Sequence, residues 1–276
     1  MRVRFWGVRG SVPVPDRRML GFGGNTSCVE VQLGDGTQLI LDAGSGIREL
    51  ADGGDGPRKI QLLLTHLHLD HILGLLFFPP LFDPRNEITV YGPPAPGPNL
   101  DRRLARYLSA PLSPVDLHEL PARVEFAACP YQAWEVGSAR VEAAIVAHRG
   151  VTLGYRVSEG DKVLTYIPDH EPALGSDLAD APADWISGIA LADRADVLIH
   201  DGQYFDREYA DHVGWGHSGI SDAVTFARRA RVERLALFHH DPAHDDDTLH
   251  ELGEEAGAMW DGRSLLVARE GQTLEV

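Results

Sequence analysis

The chain has 276 residues, 43% of them hydrophobic, enough to bury a sizeable core in one large domain or two small ones. Its 41 acidic against 25 basic residues give a formal net charge of −16, which excludes a generally basic nucleic-acid-binding surface but not a polyanionic substrate met through bound cations. Cys28 and Cys129 are too few for a disulfide framework and read as free buried thiols. With no signal-type or bilayer-length apolar run, a soluble cytoplasmic protein without membrane contact is expected.

Val3 to Trp6 reads as a first strand, ending in the glycine-punctuated loop Gly7 to Pro13. A second loop, Gly21 to Ser27, precedes an alternating strand from Cys28 to Leu33. Asp35-Gly36 then turns into a strand over Thr37 to Leu41. Asp42 follows at its carboxyl end, and Ile47 to Leu50 begins a short helix. A polar turn is expected over Asp52 to Pro57, then a buried strand from Lys59 to Leu64. Ile72 to Phe78 predicts a helix stopped by Pro79-Pro80. Further on, Glu87 to Tyr91 reads as a strand and Asn99 to Leu108 as a helix capped by Asn99. Strands are expected over Val124 to Ala128 and Ala139 to Ala147, and a hairpin over Thr152 to Val157 and Lys162 to Ile167. The last third alternates: helix at Ile189 to Arg194, strand at Val197 to Ile199, helix at Ser218 to Ala230 capped by Ser218 or Ser221. Strand Leu235 to Phe238, helix Asp246 to Met259 and a final hairpin near Gly271 complete it. No linker, repeat or low-complexity tract divides the chain, so one domain over 1–276 is expected.

The densest chemistry lies in Leu62-Leu63-Leu64-Thr65-His66-Leu67-His68-Leu69-Asp70-His71, where an apolar strand delivers three histidines and an aspartate into a turn. Imidazole and carboxylate ligands suit zinc, manganese or iron, and one metal needs only three or four of them. Further candidates, His148, Asp169 and His239, each follow an apolar strand, where ligands from several strands can converge on one edge. Seven groups match two metals: His66, His68 and His148 on one, Asp70, His71 and His239 on the other, with Asp169 shared. Singly, His148 reads better as a capped or surface histidine, gaining weight only from its position after a strand and before Gly150, and Asp169 reads equally as a turn residue.

The segment His66 to His71 resembles the His-x-His-x-Asp-His signature of the metallo-β-lactamase superfamily, and Asp42, His148, Asp169 and His239 fall in that family's order. The resemblance implies an α/β fold, an αββα sandwich of two mixed sheets flanked by helices, with two divalent metals at one edge. Zinc is foremost, with manganese or iron as alternatives. Asp169 stands where true β-lactamases carry a cysteine, which argues against antibiotic hydrolysis. The blocks Ile199-His200-Asp201-Gly202, Gly216-His217-Ser218-Gly219 and Phe238-His239-His240-Asp241 are similar to those of the phosphodiesterase branch that includes ribonuclease Z and cyclic phosphodiesterases. That likeness implies His217 as a catalytic histidine oriented by Asp201, and His239 as the last ligand in preference to His240. Asp201 is shorter than the glutamate of ribonuclease Z, Gly219 replaces a threonine, and no basic Gly/Pro-rich arm is present.

The implied reaction is hydrolysis of a phosphodiester by a hydroxide bridging two metals roughly 3.5–4 Å apart, with Asp70 beside it and His217 stabilising the transition state or protonating the leaving oxygen. A cap on the helix beginning near Ser218 is the alternative role for His217. Small or cyclic phosphodiesters are the expected substrates, and a large structured RNA is not expected as a partner. Two alternatives stay open: hydrolysis of a carboxylic ester, thioester or lactone, and a non-catalytic sensor or binding module keeping the fold. His240 and His244 are placed near the pocket, Tyr204 and Trp215 read as core, and Leu75 to Phe78 serves the core or a homodimer interface.

Overall fold

The computed structural model describes residues 1–50, 56, 58–260 and 264–276. The polar turn expected over 52–57 lies, apart from Gly56, outside them.

Fourteen strands among these residues form two seven-stranded sheets. The first holds β1 (Arg2–Gly7), β2 (Cys28–Gln32), β3 (Gln38–Leu41), β4 (Lys59–Leu63), β5 (Glu87–Gly92) and β6 (Arg123–Ala128). The second holds β7 (Trp134–Val136), β8 (Ala139–Ile145), β9 (Leu153–Glu159), β10 (Lys162–Ile167), β11 (Val197–Asp201), β12 (Arg234–Phe238) and β13 (Ser264–Val267). The last strand, β14 (Thr273–Glu275), returns to the first sheet and pairs antiparallel with β1. A final hairpin is therefore not formed: β13 and β14 flank Gly271 in sequence but belong to opposite sheets. The apolar residues of both strands serve different layers, which alternation within either strand cannot reveal.

Both sheets are mixed. β3 to β6 run parallel in one and β10 to β13 in the other, while the remaining pairs are antiparallel. Between the layers Val3, Phe5, Leu39 and Leu63 meet Tyr155, Tyr166, Ile199 and Phe238. Phe5 and Tyr166 lie 6.1 and 5.8 Å from the Phe238 ring; burying one such ring contributes about 1.5–3 kcal/mol. The outer faces are apolar as well: Ile60, Leu62 and Val90 pack under the segments around Ile72 and Leu104, and Leu198 and Leu235 under the helices Ile220–Arg229 and Asp246–Met259. A strand covered on both sides needs no polar face, and so β4 reads as a continuous apolar run.

Several helices are shorter than expected. Ile72 to Phe78 is no single helix; one turn, Leu69–Ile72, gives way to 3-10 turns at Leu75–Phe77 and Pro79–Phe82. Pro79-Pro80 cannot donate, so an α-helical ladder could not have run through them. The helix over Asn99 to Leu108 is regular only at Leu100–Leu104, and Asn99 makes no capping hydrogen bond. Neither Ser218 nor Ser221 caps the helix Ile220–Arg229, whose N-cap is Gly219; the Ser218 hydroxyl instead donates to the His170 carbonyl (2.6 Å). Among the described residues no helix is long and apolar enough to cross a membrane.

Parallel pairing brings the carboxyl ends of β3, β4, β10, β11 and β12 into register. Leu41 pairs with Leu63, Ile167 with His200, and Asp201 with Phe238. The next residues along each strand are Asp42, Leu64-Thr65-His66, Pro168-Asp169, Gly202 and His239. With Asp201, the last residue of β11 itself, the fold thus delivers polar side chains from five strands to one edge of the sandwich.

Candidate metal centre

At that edge two groups of side chains have ligand atoms within 4.8 Å of one another: His66, His68, His148 and Asp169, and Asp70, His71, Asp169 and His239. A third, Asp201, His217 and His239, adjoins them. All nine residues singled out in the sequence come together here. Asp169 is common to both larger groups, with Oδ1 3.1 Å from His71 Nε2, and Oδ2 3.6 Å from His148 Nε2 and 3.3 Å from His239 Nε2.

The outward nitrogen of each buried imidazole is tied to an acceptor. His71 Nδ1 donates to Asp42 Oδ2 (2.8 Å), His148 Nδ1 to the Gly216 carbonyl (2.6 Å), and His239 Nδ1 to Gln203 Oε1 (3.0 Å). His66 Nδ1 donates to Thr65 Oγ1 (3.0 Å), whose own proton is committed to Asp42. With the outward nitrogen donating, a neutral ring presents a bare Nε2 to the interior, the tautomer that a cation requires. The bare nitrogens crowd one another: His71 Nε2 lies 3.3 Å from His239 Nε2, and His148 Nε2 3.3 Å from His68 Nδ1. Two lone pairs at that distance repel unless something positive lies between them. Buried His66 Nε2 and Asp169 Oδ1 have no hydrogen-bond partner, and orphaned acceptors of this kind are costly. The donor set, imidazole and carboxylate without thiolate, fits zinc, manganese or iron.

Electrostatics divide the rings: burial disfavours charge on His71, but Asp169, Asp70 and Asp42 around it outweigh burial and raise it well above the ordinary imidazole range, an excess of carboxylate that a bound cation would balance instead. Burial pulls His66 well below the ordinary imidazole range and lowers His68 and His148, keeping them neutral. Burial opposes ionisation of Asp70 and Asp169, yet the surrounding imidazoles hold both carboxyls well below the usual range. Asp70 Oδ2 also accepts from the Ser11 backbone N–H (2.8 Å), where Ser11 adopts φ 62°. Gly10 beside it must be glycine for another reason: a Cβ there would stand 2.5 Å from the His239 ring.

The third group is built differently. Asp201, fully buried, accepts from His217 Nδ1 (2.7 Å), the N–H groups of His170 (3.0 Å) and Gln203 (3.1 Å), and more distantly Ser218 (3.3 Å). The His217 ring stacks on His239 (4.9 Å) and meets His148 edge-on (5.0 Å). Burial disfavours its charge, but Asp201 outweighs this and raises its pKa to about 9.

Sequence reasoning missed the supports. Gln203 orients His239, and its Nε2 donates to Asp241 Oδ2 (3.2 Å), which fixes which end of the amide accepts. Glu171, 1% exposed, accepts from the N–H groups of Gly214 and Gly216 (2.7 Å each) and from the Tyr209 hydroxyl (3.0 Å). A directional chain braces the rear: Ala147 N–H donates to Ser187 Oγ, Ser187 to His170 Nε2, His170 Nδ1 to His200 Nε2, and His200 Nδ1 to the Asp201 carbonyl, each at 2.8–2.9 Å. Burial lowers both histidines, so the chain stays neutral. Only proximity in sequence (His170 after Asp169, His200 before Asp201) signals these roles.

Three placements differ from expectation. His240 turns away to donate to the Ala268 carbonyl (2.8 Å) and packs edge-on to Phe22, while His244 meets Glu208. His240 misses the centre because successive residues leaving a strand point in opposite directions, and His244 because it is held by Glu208. Tyr204 is buried, but Trp215 is 58% exposed and is not core. Leu75 and Leu76 are buried, whereas Phe77 is exposed.

The sequence model of the β-lactamase superfamily domain matches residues 37–240, and thus spans every residue of the centre. The chain belongs to the metallo-β-lactamase superfamily. Among its relatives are a ribonuclease Z of Haloferax volcanii, 28% identical over 100% of this chain and 95% of its own, and one of Mycobacterium sp. (strain KMS), 31% identical over 83% and 81%. The crystal structure of human tRNase Z, short form, superposes with a TM-score of 0.68 at 21% identity, covering 100% and 99% of the two chains. This member of the superfamily is a metal-dependent hydrolase of the ribonuclease Z-like branch. The relatives overturn the expected small-molecule partner and the expectation against large structured RNA, since a protein named ribonuclease Z matches along 100% of this chain and another along 83%. The net charge of −16 sums the entire surface, whereas a polyanion meets only the local field near the site, including any bound cations.

Proposed function

We propose that this superfamily member hydrolyses phosphodiester bonds of RNA at the two-group centre, with residues 1–276 acting as one domain. The observation that carries this reading is the His217–Asp201 pair. It stacks on the candidate ligand His239, is itself no part of the two larger groups, and is placed to give a proton to a poor leaving group such as a ribose alkoxide. A carboxylic ester also releases an alkoxide, so the choice of a phosphodiester over an acyl substrate is supported by the relatives named ribonuclease Z.

Two divalent cations, zinc foremost, would be held by His66, His68 and His148 and by Asp70, His71 and His239, with Asp169 common; when bound they supply an activated water and charge to balance the phosphoryl oxygens. The protein's own groups do the rest. Asp201 accepts the Nδ1 proton of His217 and keeps that ring charged at neutral pH, leaving Nε2–H as the donor to the departing oxygen. The N–H groups of His170, Gln203 and Ser218 hold the Asp201 carboxylate in place against His217. Asp70, pinned by Ser11 N–H, presents an ionised carboxylate to the reaction space and can orient the attacking water.

The test is turnover of bis(p-nitrophenyl) phosphate and of a structured RNA such as a transfer RNA transcript by metal-loaded protein. On the RNA, whose ribose alkoxide needs a proton to leave, His217→Ala and Asp201→Asn should each lower kcat by about 10²–10⁴-fold with metal content unchanged, whereas bis(p-nitrophenyl) phosphate, whose nitrophenolate leaves unprotonated, should be affected far less. Unaltered RNA turnover in both variants would sink the assignment of the pair. Equal activity on phosphodiesters and carboxylic esters would sink the substrate class.

A further inference from the structure

Beside the centre lies a cavity of about 220 Å³, lined by His66, His68, Arg103, Arg149, Gly150 and Val151 among others. His68 is the one exposed member of its ligand group, so this cavity is where that half of the centre opens to solvent. Two guanidinium groups on its wall are unusual in so acidic a chain. Elsewhere arginines such as Arg18, Arg123, Arg207 and Arg231 are paired with carboxylates. Among the described residues neither Arg103 nor Arg149 makes an ion pair or a side-chain hydrogen bond to any carboxylate.

Arg103 is held in place. Its Nη2 donates to the Pro93 carbonyl (2.5 Å), whereas its Nε is buried with no partner. Burial without a neighbouring anion lowers its pKa, which is an unfavourable arrangement for the isolated chain. Arg149 follows the candidate ligand His148 directly, and Gly150 (φ 84°) turns the backbone away with open space around it. A fixed, unsatisfied guanidinium and a second without a partner, a few side chains from the centre, make a site for a doubly hydrogen-bonding anion.

We propose that Arg103 and Arg149 bind a backbone phosphate of the RNA strand next to the one being cleaved, and so register the strand on the centre. This rests on the phosphodiesterase reading above, and it deepens it by assigning the polymer's second anchor point. It also accounts for how a chain of net charge −16 accepts a polyanion: beside the centre, these two guanidinium groups supply attraction that the net count does not show.

The decisive measurement is fluorescence anisotropy of a labelled single-stranded oligouridylate with the full chain, for wild type, Arg149→Ala, Arg149→Glu and Arg103→Gln. Each variant should weaken Kd by about tenfold or more. The slope of log Kd against log salt should become shallower by roughly 0.7 for each phosphate that is no longer neutralised. Turnover of bis(p-nitrophenyl) phosphate, too short to reach the wall, should stay at the wild-type rate. Among the described residues Arg149 has no partner, so its variants remain informative if Arg103→Gln fails to fold. A Kd within twofold of wild type in both Arg149 variants, or wild-type protein that does not bind the oligouridylate, would overturn the proposal. Absence of bis(p-nitrophenyl) phosphate turnover in the wild type would instead defeat the phosphodiesterase reading, and the anisotropy comparison would still decide the anion site.

Discussion

Glu171→Gln is the sharpest probe of how the centre is held. Every partner of this buried carboxylate is a donor: Gly214 N–H and the Tyr209 hydroxyl on Oε1, Gly216 N–H on Oε2. The Tyr209 oxygen already accepts from Gly175 N–H (3.0 Å), so its proton can only point to Glu171. An amide of the same shape offers one acceptor oxygen and must set an NH₂ against at least one of these donors. Losing a charge-assisted bond and leaving a buried N–H unpaired costs about 2–4 kcal/mol together. The strain falls on Gly216, which sits at φ 97° with its carbonyl accepting from His148 Nδ1 and its Cα hydrogens where a Cβ would lie 2.4 Å from that ring. His148 should lose its fixed orientation, and outer-partner losses of this kind lower metal affinity by about 10–100-fold. Competition titration of zinc against a chromophoric chelator reads the affinity, and thermal unfolding reads the stability. A fall in Tm with affinity within twofold of wild type would refute the coupling from Glu171 through Gly216 to His148. No change in either would refute the hydrogen-bond accounting itself.

Gly10→Ala tests close approach alone, because Gly10 lies outside the positive-φ set and any loss must come from the 2.5 Å encounter with His239; we expect at least tenfold weaker metal binding and about 1–3 kcal/mol lower stability by denaturant titration. Removing metal with a chelator should abolish phosphodiester turnover and lower Tm, by an amount corresponding to about 4 kcal/mol for a site bathed at a thousandfold its Kd, and an unchanged Tm would mean that the centre binds no ion in the folded protein. Asp222, in the first turn of the helix Ile220–Arg229, has its pKa raised to about 6 by burial and then by Asp206, Glu171 and Asp177. A raised carboxyl pKa contributes stability that is complete below the unfolded value of 3.8 and is lost as pH rises through about 6. Partial exposure and the favourable helix dipole discount the effect to about 1 kcal/mol. Asp222→Asn should therefore stabilise the protein at pH 8 and leave it unchanged at pH 4, and an equal effect at both would contradict the titration.

What the sequence disclosed and what it hid follow different physics. The ligand cluster was legible because a strand buried on both faces is an uninterrupted apolar run, and polar residues at its end stand out: Leu62 to Leu64 lead into His66, and Val197 to Ile199 lead into Asp201. Parallel pairing then made neighbours of residues distant in the chain. The supports are a different matter. Glu171, Gln203 and Ser187 lie in loops whose course depends on which backbone donors remain unpaired after the sheets form, and no periodicity encodes that accounting. The crossover between β13 and β14 was hidden for the same reason, since strand partners across a turn are chosen by packing between layers and not by the turn.

The same distinction explains why charge misled where motif did not. A net count treats Arg149 and Arg231 alike, yet Arg231 is neutralised by Asp193 while Arg149 faces a cavity at the mouth of the centre. Coulomb attraction at a few ångströms in a low-dielectric cleft exceeds the sum of screened charges farther than about 10 Å away. An acidic surface repels a polyanion at long range and slows its approach, but it does not set the interactions made once the strand is seated. The selectivity of such an enzyme should accordingly reside in the few unpaired cations beside its ligands, and the acidic remainder should act mainly on association rate and its dependence on salt.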